Sequence, residues 1–117
     1  MSARPLTPEG TVLRTIKDGL RALRIPFWRC GVGAHVVKGP GTRRYVKLGD
    51  AGVPDLLVLA PGVGALFVEV KSARGKLSPE QVAFRDACRA AGAVHVVARG
   101  WDDLAPWVTA PRLRGAS

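Results

Sequence analysis

The chain has 117 residues, 47% hydrophobic and 23% charged, a composition that fits one folded domain and excludes a disordered or fibrous polymer. Its formal net charge is +9 with a pI near 10.8, which fits a polyanionic partner. Arginine outnumbers lysine amid abundant alanine and glycine, so a G+C-rich coding sequence is an alternative source of the same charge.

The opening "MSARPLTPEG" has no apolar stretch of the signal-peptide kind. The longest apolar runs are strand-length, short of the ~20 residues a membrane span needs. Cys30 and Cys88 lack metal-ligand spacing and read as buried, reduced thiols. The expectation is a cytoplasmic, intracellular protein with no membrane partner. It is expected to be a single domain over 1–117, with its core at about 8–104 and a basic tail at 110–117.

In chain order, "TPEGTVLRTIKDGLRALRI" predicts a helix with Thr7 as N-cap, Pro8 at the first position and Glu9 in the first turn. Val12, Leu13, Ile16, Leu20 and Leu23 form its apolar stripe, which Gly10 and Gly19 weaken. "PFWRC" and "AHVVK" read as short strands broken by "GVG", "GPGTRR" as a glycine-rich basic loop, and "YVKLG" as another short strand. "PDLLVLA" and "ALFVEVK" read as strands joined by the tight connection "PGVG". "SPEQVAFRDACRAAG" predicts a second helix with Ser78 as N-cap, Gln81 completing a capping box and Gly92 at its end. "AVHVVA" is a further strand, and "WDDLAPWV" a short helix or turn interrupted by Pro106. The order implies a mixed sheet flanked by helices.

The hairpin "GVPDLLVLAPGVGALFVEVK" sets charges among apolar residues. Period-two alternation places Phe67, Glu69 and Lys71 on one face and Leu66, Val68 and Val70 on the other. With the turn midway between Ala60 and Ala65, paired positions sum to about 125, so Asp55 lies opposite Val70 or its neighbour. Two carboxylates and one amine then converge at one end of the hairpin. Adjacent carboxylates repel unless a proton or cation sits between them. A hard divalent ion held by one or two carboxylates and substrate phosphate suits such a site. Lys71 would add positive charge against a developing phosphorane. The bland alternative is an exposed Glu–Lys pair on an edge strand, with Asp55 starting a turn.

Glu9 extends the inward stripe of the first helix, or else simply favours the helix macrodipole. Gln81 has its capping role, although a side chain there could also approach a phosphate or an attacking water. His35 and His95 read as core or surface histidines, and Trp28, Trp101 and Trp107 as packing residues.

"GVPD", then "FVEVK", then "GKLSPEQ" resembles the VRR-NUC domain of the PD-(D/E)XK nuclease superfamily, especially its small stand-alone phage and bacterial members. The likeness runs from about Pro8 to Leu104. The resemblance implies an α/β fold with a restriction-endonuclease-like αβββαβ core and Mg²⁺- or Mn²⁺-dependent hydrolysis of DNA phosphodiesters. By position, Asp55 and Glu69 are similar to the family's metal-binding acids, with Glu9 and the Val70 carbonyl completing the metal shell. Lys71 resembles the catalytic lysine, and Gln81 falls at the helix glutamine. The expected activity is a metal-dependent endonuclease selective for branched or junction DNA. Lys38, Arg43, Arg44, Lys47, Arg74 and Lys76 are the expected phosphate contacts. The resemblance also implies a homodimer. The rival readings are a non-catalytic DNA-binding module on the same fold and a basic assembly protein, which leaves the carboxylate–lysine cluster unexplained.

Overall fold

The structure, a computed structural model, describes residues 6–30 and 51–109, together with the backbone of 34–39 and 42–47. In chain order the elements are α1 (Pro8–Ala22), β1 (Phe27–Arg29), β2 (Ala34–Gly39), β3 (Thr42–Lys47), β4 (Leu56–Ala60), β5 (Gly64–Val70), α2 (Pro79–Ala90), β6 (Val94–Ala98) and α3 (Trp101–Val108). The expected "GVG" turn at 31–33, the end of "YVKLG" and the tail at 110–117 lie outside the described residues.

Both long helices start where their capping chemistry predicts. The Thr7 hydroxyl accepts the Gly10 N–H at 3.0 Å, with Pro8 at the first helical position. Ser78 and Gln81 form a complete capping box, and α2 ends before Gly92 at φ 82°. The α1 stripe is shorter than expected. Ile16 and Leu20 are fully buried, whereas Leu23 is the C-cap and is exposed; Ile25, past the positive-φ Arg24, enters the core instead. Gly19 fits because the Trp101 ring of α3 lies where a β-carbon would stand.

Strands β1-β4-β5-β6 form a four-stranded mixed sheet, with β1/β4 and β4/β5 antiparallel and β5/β6 parallel. A parallel neighbour requires a crossover, which α2 supplies. Strands β2 and β3 pair separately as an antiparallel hairpin between β1 and β4. Apart from that hairpin and α3, the element order is αβββαβ. The expected "GPGTRR" loop is narrower than its composition suggests. Gly39 closes β2 and Thr42, Arg43 and Arg44 belong to β3, leaving only residues 40–41 between the strands.

Alternation along β4 and β5 gives each face of the sheet its own task. Leu56, Val58, Ala60, Leu66, Val68 and Val70 are buried together with Ile16, Leu20, Val96, Ala98 and Leu104. Trp101 and Trp107 pack against this core. On the opposite face Phe67 meets Phe84 of α2 edge-to-face, with ring centroids 5.4 Å apart, and Phe84 in turn meets the buried His95. Trp28 does not pack as expected: it is 53% exposed on edge strand β1. Cys88 is buried and Cys30 only partly so. Helix α3 runs unbroken through Pro106. Among the described residues no helix is long and apolar enough to cross a membrane.

Candidate active site

The β4–β5 register runs from Ala60↔Gly64 to Leu56↔Val68, and its continuation sets Asp55 across from Glu69. Asp55 is held on three sides. Its N–H donates to the Val68 carbonyl at 3.1 Å, its carbonyl accepts the Cys30 N–H at 2.8 Å, and its Oδ2 accepts the Val70 N–H at 2.7 Å. The preceding Pro54 is fully buried. Gly52 has φ 89°, and a β-carbon there would run into the Glu80 carbonyl at the start of α2. The "GVPD" spelling therefore has a local cause: only glycine takes that backbone so close to α2.

Glu69 is 2% exposed, and its Oε1 has no hydrogen-bond partner among the described residues. Burial first, then the hydrogen bond and charge of Asp55, push its carboxyl up to about 8. The Lys71 ammonium opposes that shift and Glu9 adds slightly to it. Near neutral pH Glu69 thus keeps its proton. A cation could take the proton's place.

Lys71 leaves β5 with its N–H on the Ala98 carbonyl at 3.0 Å. Its side chain is 12% exposed, and its Nζ stands 3.9 Å from Oε1 of the half-exposed Glu9. The N-terminus of α1 therefore reaches the hairpin end through Lys71. Glu9, the expected further acid of the metal shell, meets Lys71 and lies near enough for its charge to act on Glu69; among the described residues no three His, Cys, Asp or Glu side chains gather as a metal group. The donors that could hold a hard divalent ion are the Asp55 and Glu69 carboxylates, an arrangement that leaves room for water ligands.

Gln81 sits one residue beyond Glu80, at the helix start that faces Gly52. Its Oε1 accepts the Ser78 N–H at 2.8 Å, so capping engages the carbonyl end of the amide. Arg74 and Lys76 are exposed on the segment between Lys71 and α2. The side chains of Lys38, Arg43, Arg44 and Lys47 lie outside the described residues.

Sequence reasoning missed Arg99. Its Nη1 donates to the carbonyls of Ser72 at 2.7 Å and Gly75 at 2.6 Å, directly after Lys71. An arginine just past a strand carries no local signal for such a long-range contact. His95 keeps a buried Nδ1 with no hydrogen-bond partner among the described residues, and burial, then Arg89 and Arg85, hold its imidazole below the usual histidine range. The Cys30 thiol is raised by burial and by Asp55, which keeps it protonated and unreactive.

Comparison with known proteins places these residues in a family context. The VRR-NUC domain family model matches residues 16–102. A solved VRR-NUC domain structure is similar over 82% of this chain and 88% of its own, at 30% identity and a TM-score of 0.59. Comparison with the curated proteins gives no match.

Proposed function

Because the chain belongs to the VRR-NUC domain family of nuclease-type domains, we propose that it is a Mg²⁺- or Mn²⁺-dependent endonuclease that hydrolyses DNA phosphodiesters at Asp55, Glu69 and Lys71. One observation carries this reading. A buried carboxylate with an orphaned oxygen stands beside a second carboxylate, with an amine two residues along the strand. Placing such a pair in a sheet costs free energy that packing does not return. A catalytic site is the natural reason to keep it.

A bound divalent ion would supply a nucleophile at neutral pH and neutralise charge on the phosphate. Asp55, fixed by its bond from the Val70 N–H, keeps a carboxylate aimed beside Glu69. To hold such an ion Glu69 would have to be deprotonated. Lys71, largely shielded from solvent, presents an ammonium that favours the extra negative charge of the transition state. In this reading Glu9 orients Lys71, and the Val70 carbonyl is a further oxygen beside the acids. The amide of Gln81, whose carbonyl oxygen caps Ser78, is assigned to a phosphate or the attacking water. Arg74, Lys76, Lys38, Arg43, Arg44 and Lys47 bind phosphates and carry no sequence readout.

Branched or junction DNA is the proposed substrate class, because a domain this small with a basic surface reads shape and backbone rather than bases. Cutting two strands with one site per chain favours a homodimer. The test is a cleavage panel of plasmid, linear duplex, flap and four-way junction DNA with Mg²⁺, Mn²⁺ or EDTA. Metal-dependent cutting that is strongest on branched substrates is expected. DNA binding with no metal-dependent cutting would instead make the protein a binding module on a nuclease fold.

A further inference from the structure

Arg99 is exposed, yet it directs its guanidinium at backbone rather than solvent. Besides the bonds from Nη1 to Ser72 and Gly75, the Ala73 carbonyl lies 3.4 Å away as a weaker third acceptor. Charged donors make stronger hydrogen bonds than neutral ones. Among the described residues the turn they close, "SARG", has one backbone bond of its own, from the Gly75 N–H to the Ser72 carbonyl at 3.1 Å. Arg99 is anchored in turn, since its own N–H donates to Oδ2 of Asp103 in the first turn of α3 at 2.8 Å.

This turn backs onto Lys71. A β-carbon at Gly75 would stand 3.4 Å from Cδ of Lys71 and 3.1 Å from Oγ of Ser72, so the two segments are in close contact. Among the described residues the ammonium's ion pair is with half-exposed Glu9 at 3.9 Å, a tether of the weak, solvent-screened kind. A flexible four-carbon stem needs more than that to stay in one place.

We propose that Arg99 is the positioning residue for Lys71: by tying the Ser72–Gly75 turn to α3, it holds the lysine stem so that the ammonium stays at the Asp55–Glu69 pair. This inference rests on the nuclease reading. It also gives the Asp103–Arg99 link a role in turnover although neither residue approaches the acids through a bond of its own.

The test compares the parent chain with R99A, R99K and K71A in single-turnover cleavage at saturating Mg²⁺ and branched DNA. DNA affinity and its salt dependence are measured in EDTA. R99A is expected to cleave roughly tenfold or more slowly, since small misplacements of a catalytic group are costly. Its DNA affinity and salt slope should stay close to parental. Added methylguanidinium should restore cleavage to R99A and leave K71A unchanged. R99K, which keeps the charge but ends one bond short of the Nη1 that makes these contacts, should remain slow, and it supplies the test if R99A does not fold. Parental turnover in R99A, or in R99K should that be the folded variant, overturns the proposal. A loss seen only in affinity and salt slope also overturns it and makes Arg99 a phosphate contact. A parent that cuts no DNA defeats the nuclease reading itself, a failure visible before any variant is made.

Discussion

The Val70 N–H donates to Oδ2 of Asp55 at 2.7 Å, tying the end of one hairpin strand to the carboxylate that begins the other. This bond makes Asp55 a structural acceptor as well as an acid, and the two roles separate by substitution. Asp55→Asn keeps an oxygen for Val70, whereas Asp55→Ala leaves a part-buried N–H unpaired. Urea unfolding should place Asp55→Ala about 1–3 kcal/mol below Asp55→Asn in stability. Both should lose cleavage. Equal stability of the two variants would mean that the bond contributes nothing.

The proton on Glu69 has a thermodynamic consequence. Glu69 titrates near 8 in the folded, metal-free chain, against 4.5 as the ordinary value. The folded state therefore binds more protons than the unfolded state between these values. Stability is greatest below about pH 4.5 as far as this group is concerned, and is lost as pH rises toward 8. Urea unfolding in EDTA at several pH values from 5 to 8 should show a decline of at most a few kcal/mol, and Glu69→Gln should flatten it. Divalent ion affinity should rise over the same range, because binding displaces the proton.

The role of Lys71 can be separated from that of the proposed ion. Lys71→Ala should lower single-turnover cleavage roughly a hundredfold, as when one preorganised donor is removed from a developing charge. An ammonium is no metal ligand, so calorimetric Mg²⁺ binding should persist. The exposed partner Glu9 limits the loss of stability to less than about 1 kcal/mol. Parental cleavage with intact metal binding would remove Lys71 from the mechanism.

Gly52 is a test of the scaffold. Gly52→Ala meets both a positive φ of 89° and the Glu80 carbonyl, so the Gly52–Asp55 segment must move away from α2. A destabilisation of about 1–3 kcal/mol by thermal or urea unfolding is expected, with cleavage reduced in the protein that remains folded. Gly64→Ala is the control, since a β-carbon there meets nothing within 4 Å although φ is also positive. It should cost less.

Local chemistry was legible in the sequence and long-range contact was not. Thr7–Pro8 and the Ser78–Gln81 box announce their helices because capping is decided within four residues. The convergence of Asp55 with Glu69 follows from alternation and one tight turn, so it too could be read from spacing. The tie from Asp55 to Val70 needs the coordinates, as does the approach of Glu9 to Lys71 across the sheet end. Trp28 misled because an aromatic residue in a short apolar run looks the same on an edge strand as in a core. "GPGTRR" misled because glycine and proline mark a turn without saying how few residues it contains. Gly19, Gly52 and Arg99 gain their meaning from Trp101, Glu80 and the Ser72–Gly75 turn, each distant in sequence.

The central proposal is that buried Glu69 and part-buried Asp55 hold the ion with which this protein cuts DNA. It is tested most directly by single-turnover cleavage of one branched substrate across a Mg²⁺ titration, comparing the parent with Glu69→Gln. Glutamine keeps the shape of the side chain and removes the charge. The account predicts metal-dependent cutting by the parent, abolished in EDTA, and a loss of roughly a hundredfold or more in a folded, DNA-binding variant even at saturating Mg²⁺. Parental cleavage by Glu69→Gln at the same Mg²⁺ concentrations would contradict it.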